Sequence, residues 1–218
     1  TRLFDVAGGW YAYSDQAADH EYVPNVNAYM AAQTQRALHL LGGTFSASEA
    51  ATFSAHVERA RSNLEALMEP GMTWTYYPPG TPHYALNASR NDAIHHVYIV
   101  LSLLDIERFG GHATAGITQA SVLTSLRSFL APGGSVYRFP AGNPGDGSAA
   151  GTPCNAWGVG ALVAASARLG DDQLAQKFQA ALDAYGAWPQ TTQFPGGSGP
   201  SYHRTRANVL WGLGSRFR

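Results

Sequence analysis

Apolar positions along this chain follow the helical period in two distinct ways. Over residues 47–68, Phe53, Val57, Ala60, Leu64 and Leu67 fall on one stripe, with Glu49, His56, Glu58, Arg59 and Ser62 off it. That is the pattern of an outer helix with one wet face. By contrast, IHHVYIVLSLLDI (94–106) and AWGVGALVAASARL (156–169) are apolar or small nearly all round, as inner helices covered on both sides are. Segments 116–130 and 172–187 read as further outer helices. Boundary signals agree. Ser46 with Glu49 and Ser89 with Asp92 match the capping box, and Asp171 is placed to cap the helix after Gly170. Gly42, Gly110 and Pro132 follow apolar stretches as stop signals.

A short aromatic segment, a Gly/Pro/polar loop and an apolar helix recur in the same order, which divides the chain into units of about 8–71, 72–132, 133–191 and 192–218. Aligning Gly42, Gly110 and Gly170 sets Asn27, His95 and Asn155 at equivalent places, and a similar register puts Tyr202, His203 and Arg204 in the same neighbourhood of the fourth unit. Inner and outer helices then alternate. The expectation is a single all-α domain over 1–218, built as helical hairpins of about seven helices that form an (α/α) toroid or partial toroid. Segments such as MTWTYY are expected to pair as short strands at the helix ends.

Composition narrows the partners. Fourteen Lys+Arg against fifteen Asp+Glu give a net charge of −1 with no basic stripe, so a nucleic-acid backbone has nothing to hold it. Charged residues are 13% of the chain, against roughly 25% in an average domain, so neutral polar groups must wet the surface. No apolar run reaches the roughly 20 residues of a membrane span, and TRLFDVAGG does not begin like a signal peptide. One cysteine, Cys154, excludes an internal disulfide and a thiolate-rich zinc site. Adjacent His95 and His96 lack the spacing of a zinc helix, and no GxGxxG or GxxxxGK[ST] follows a strand. No metal or other cofactor is expected.

In a toroid of hairpins the N-termini of the inner helices converge at one end of the axis. Asn27, Arg90, Asp92, His95, Asn155, Tyr202, His203, Arg204 and Arg206 all stand in such a loop or first turn, where backbone N–H groups favour anions. Trp10, Trp74 and Tyr76, from the aromatic segments, offer flat faces for stacking on sugars. Together they describe a glycan cleft. Each also has a plainer reading: Asp92 as a helix cap, Asn27 and Asn155 as partners of loop backbone groups, Cys154 as a small core residue. Only one of His95 and His96 can point down the axis, and the register selects His95.

The Tyr/His-headed inner helices, with RNDAIHHVYIVLSLLDIERFGG and the terminal SYHRTRANVLWGLGSRF, resemble the helical toroid domains of glucuronyl C5-epimerases and polysaccharide lyases. The resemblance implies abstraction of the C5 proton of a uronate in an acidic polysaccharide, followed by elimination or reprotonation. It implies His95 or His203 as base near neutral pH and Tyr202 as donor. Asn27, Arg90, Asn155, Arg204 and Arg206 would neutralise the carboxylate, and the protein would be secreted or periplasmic. Two other readings stand beside it. One is a glycoside hydrolase using paired carboxylates such as Asp19 and Asp92. The other is a non-catalytic glycan-binding or accessory subunit that takes a protein partner on its concave face.

Overall fold

The computed structural model describes residues 4–13, 22–81, 83, 84, 90–140, 153–185, 207 and 214. Six α-helices are traced among them: α1 (Pro24–Leu41), α2 (Ala47–Ala66), α3 (Ala93–Arg108), α4 (Gln119–Arg127), α5 (Ala156–Arg168) and α6 (Asp172–Asp183). The described residues are mostly helical, as the patterning predicts. Their one sheet is a two-stranded antiparallel ribbon, β1 (Phe4–Asp5) with β2 (Trp10–Tyr11). Among the described residues the other aromatic segments form only isolated bridges, Glu69 with Thr73, Leu130 with Val136 and Tyr137 with Pro153. The chain divides into two compact units, Thr1–Ser89 with Tyr98–Thr118, and Arg90–Val97 with Gln119–Arg218. Helix α3 gives its first turn to the second unit and the rest to the first.

In the first unit α1 packs on α2. Pro24 opens α1 at a position where its missing N–H costs nothing. The buried stripe of α1 is narrow and small, Pro24, Asn27, Ala28, Ala31 and Ala32, while Leu40 and Leu41 at its far end are exposed. The fully buried positions of this helix, expected among the inner ones, thus form one narrow line, while Gln35, Arg36 and His39 on another side meet Phe109. Helix α2 begins with the predicted capping box: the Ser46 side chain accepts from the Glu49 N–H and the Glu49 carboxylate accepts from the Ser46 N–H. It also holds the ribbon, with Asn63 Nδ2 donating to the carbonyls of Gly8 and Gly9 at 2.9 and 3.0 Å and Arg59 donating to that of Val6 at 2.8 Å. Arg61, buried, is forked between Glu58 and Glu65 and also donates to the Ala113 carbonyl. Trp74 is fully buried, and its indole N–H donates to the Leu64 carbonyl at 2.7 Å.

In the second unit α5 packs on α6 and touches α4. Helix α5 buries ten of its thirteen residues, which matches its all-round apolar sequence. Gly158 lies in its first turn because a Cβ there would stand 2.5 Å from Cys154 Sγ and 3.3 Å from Ala93 Cβ. Asp171 caps α6, accepting from the Leu174 N–H at 2.9 Å. Two helices end alike: Gly110 and Gly170 have φ of 85° and 76°, and each helix closes with a bond from the next residue back five positions, Gly111 N–H to Ile106 and Asp171 N–H to Ser166. These are Schellman stops, which favour glycine. Gly42 ends α1 differently, in a right-handed conformation that continues as a single 3-10 turn, Gly42–Thr44.

No helix of the described residues is long and apolar enough to cross a membrane.

Candidate functional site

The first turn of α3 carries the polar residues that the sequence singles out. Asp92 stands immediately before Ala93, and its Oδ1 accepts from the backbone N–H of His95 at 3.3 Å. It is therefore the N-cap of α3. The predicted capping box would instead place Asp92 one turn inside a helix opened by Ser89, which lies outside the described residues. The same oxygen is 2.6 Å from His95 Nδ1, and Arg138 Nε lies 3.7 Å from Oδ2. Burial pushes the Asp92 carboxyl pKa up, but the hydrogen bond and charge of His95 and the charge of Arg138 outweigh it, so the net value lies below the ordinary one.

An ionised carboxylate only accepts hydrogen bonds, so the proton between the two residues is on His95 Nδ1 and the basic lone pair of the neutral ring is on Nε2. The His95 side chain is 18% exposed, and its ring meets that of Trp157, in the first turn of α5, edge to face at 6.0 Å. Arg138 also covers the Phe139 ring at 5.2 Å, and its carbonyl accepts from the Ala93 N–H at 2.9 Å. The α3 N-terminus and the segment around Arg138 are thus tied together by backbone as well as by charge. The result is an oriented imidazole, a guanidinium and an indole in one unit.

His96 faces the other way, as a neighbour on a helix must. It is fully buried, with Nε2 2.6 Å from Ser125 Oγ and the Phe129 ring beside it. Burial lowers its pKa to about 4. Because the folded value lies below that of the unfolded chain, near 6.5, His96 adds to stability fully at neutral pH. That contribution is lost as pH falls through the interval between the two values. The interval corresponds to about 3 kcal/mol. His96→Gln is expected to be less stable than the parent at pH 7, with the difference shrinking by about that amount on acidification to pH ~4, as read from urea midpoints. An unchanged difference would remove the burial account.

The remaining predicted site residues separate by environment. Asn155 is the N-cap of α5, its Oδ1 accepting from the Gly158 N–H at 2.8 Å. Arg90 is half-buried just ahead of α3. Asn27, in the first unit, is wholly buried: its Oδ1 accepts from the Tyr11 N–H at 2.6 Å, and its Nδ2 donates to the carbonyls of Tyr11 and Val23 at 3.0 and 3.1 Å. It splices β2 to α1. Asn27→Ala is expected to cost about 2–3 kcal/mol, since it leaves buried backbone groups unpaired, measured by urea unfolding of the intact chain. A loss below half a kcal/mol would mean that water replaces the amide.

Trp74 sits in the core and shows no face to a ligand. Trp10 is half-buried and stacks with Tyr22 at 6.3 Å, and Tyr76 is half-buried against Tyr77. Tyr202, His203, Arg204, Arg206 and Asp19 lie outside the described residues. Cys154 is buried, and burial together with the charge of Asp92 raises its thiol pKa far above the usual range, which suits packing and not nucleophilic attack. Among the described residues no three His, Cys, Asp or Glu side chains gather as a metal-binding group.

Arg138 and Trp157 escape a reading by repeat register. The available signals are slight: Arg138 is the one cation in an aromatic segment of the third unit, and Trp157 follows Asn155 by two residues. No protein-family model, curated protein or solved structure matches the chain.

Proposed function

We propose that the chain acts on an acidic polysaccharide by abstracting the C5 proton of a uronate, as a lyase or an epimerase, with His95 as the base. The observation that carries this reading is the Asp92-held imidazole of His95 beside Arg138 and Trp157. Proton abstraction next to a carboxylate needs a base whose lone pair is aimed and a cation that stabilises the charge developing on the carboxylate oxygens. Asp92 fixes the tautomer of His95, Arg138 supplies the cation, and Trp157 supplies a flat face for the ring. The donor that completes elimination or reprotonation is assigned to Tyr202 or His203. The same reading includes closure of the helical hairpins as an (α/α) toroid or partial toroid, and a secreted or periplasmic location.

A hydrolase built on Asp92 has less support, because both carboxylate oxygens are engaged by His95 and Arg138. A glycan-binding or accessory role, with a protein partner on a concave face, draws on a specific observation: Tyr13 and Tyr29 are 55% and 49% exposed in the first unit. The deciding experiment offers the protein polygalacturonate, alginate and chondroitin in deuterated buffer. The reading calls for near-ultraviolet absorbance from an unsaturated uronate, or for deuterium at C5 without chain cleavage. Retention on these polymers with neither signal would replace the enzyme with the binding module, and reducing ends without a double bond would restore the hydrolase.

A further inference from the structure

The second unit holds a cavity of about 260 Å³ lined by Arg127, Leu130, Asp171, Gln173, Leu174 and Lys177, and no step proposed above uses it. In a chain with only 13% charged residues, two cations share this one wall. The single carboxylate among the lining residues is internally committed: Asp171 accepts from the Leu174 N–H through Oδ1 and is ion-paired with Arg127 through Oδ2. It therefore holds the Arg127 guanidinium at the lining and neutralises only part of the positive charge there.

Lys177 is paired with no carboxylate among the described residues. It is also the one lysine in a sequence whose other thirteen basic residues are arginine. Leu130 and Leu174 supply the apolar part of the lining, and the Gln173 amide, one helical turn before Lys177, can both donate and accept. A volume of this size suits a ligand of one ring or a short chain, somewhat below the usual range for larger ligands.

We propose that this cavity is a binding site for a small carboxylate whose apolar flank rests on Leu130 and Leu174 and whose oxygens are held by Lys177 and Arg127. Charge-assisted bonds from two cations are the strong interactions available to such a group. The site stands independently of His95.

The lone lysine makes the test direct. Reductive ¹³C-dimethylation keeps the charge and gives Lys177 its own methyl resonance, which can be followed during titration with sodium glucuronate, sodium hexanoate and glucose. Both carboxylates are expected to shift it saturably, with Kd on the order of millimolar, and glucose is expected to leave it in place. Arg127→Gln, followed by the same resonance, should weaken binding by about tenfold, as should Lys177→Gln measured calorimetrically, whereas Lys177→Arg should hold it within about threefold. Tighter binding of glucuronate would identify a sugar acid as the natural class, and tighter binding of hexanoate an aliphatic acid. His95→Ala should bind as the parent does, so loss of catalysis and loss of this site read out separately. No saturable shift with either carboxylate, or equal shifts with glucose, would overturn the assignment.

Discussion

Under the proposed function, His95→Ala is expected to lower turnover of an acidic polysaccharide by about 10²–10⁴-fold, the usual loss when a positioned general base is removed, with a much smaller change in binding. The expectation rests on Asp92 orienting the ring across 2.6 Å, since an imidazole held in one tautomer presents its lone pair without first having to reorganise. Asp92→Asn tests the same step without dismantling the helix. Asparagine caps about as well as aspartate, so the start of α3 is kept, while kcat falls because the amide no longer enforces the Nδ1–H tautomer or stabilises the imidazolium. Wild-type kcat in His95→Ala would dismiss the base. Full activity in Asp92→Asn would dismiss the tautomer argument alone.

Trp74→Ala is expected to be among the most destabilising single changes in the first unit, at about 3–5 kcal/mol. Removing a fully buried indole forfeits its apolar burial and opens a large void that the surroundings refill only in part. It also strips the Leu64 carbonyl of the partner it has at 2.7 Å. Trp74→Phe separates the two contributions, keeping most of the ring volume and losing the donor, and should cost about 1–3 kcal/mol. Urea unfolding of both variants measures this. Near-neutral behaviour of Trp74→Ala would place the indole in a cavity able to collapse, and a Phe variant as damaged as the Ala variant would make the hydrogen bond the dominant contribution.

What was legible in the sequence follows from how local each signal is. The outer helices were visible because a one-sided stripe and its caps are written within a few residues, as with Ser46 and Glu49 or Asp171 and Leu174. Helix ends were less so. The segment 116–130 yields only Gln119–Arg127, because Leu130 leaves the helix to bridge with Val136, a pairing that the helical period cannot express.

The site was legible only in outline. Repeat register placed Asn27, His95 and Asn155 together, yet relative to their own helices they are the fourth residue, the third residue and the cap. A small shift in where each helix begins rotates the side chain to a new face, and so Asn27 turns into the core while His95 stays partly exposed. Trp74 fails as a stacking face because its ring is fully buried and its N–H is taken by the Leu64 carbonyl, a tertiary placement that the aromatic segment alone does not record. Arg138 depends on a tertiary contact with Asp92 that no local pattern records.

The buried thiol of Cys154 has one more consequence. As the sole sulfhydryl of the sequence, it makes the second unit its own stopwatch. A thiol-trapping dye should modify the chain only during moments of opening, so the labelling half-life under native conditions times how often the region enclosing α5 comes apart.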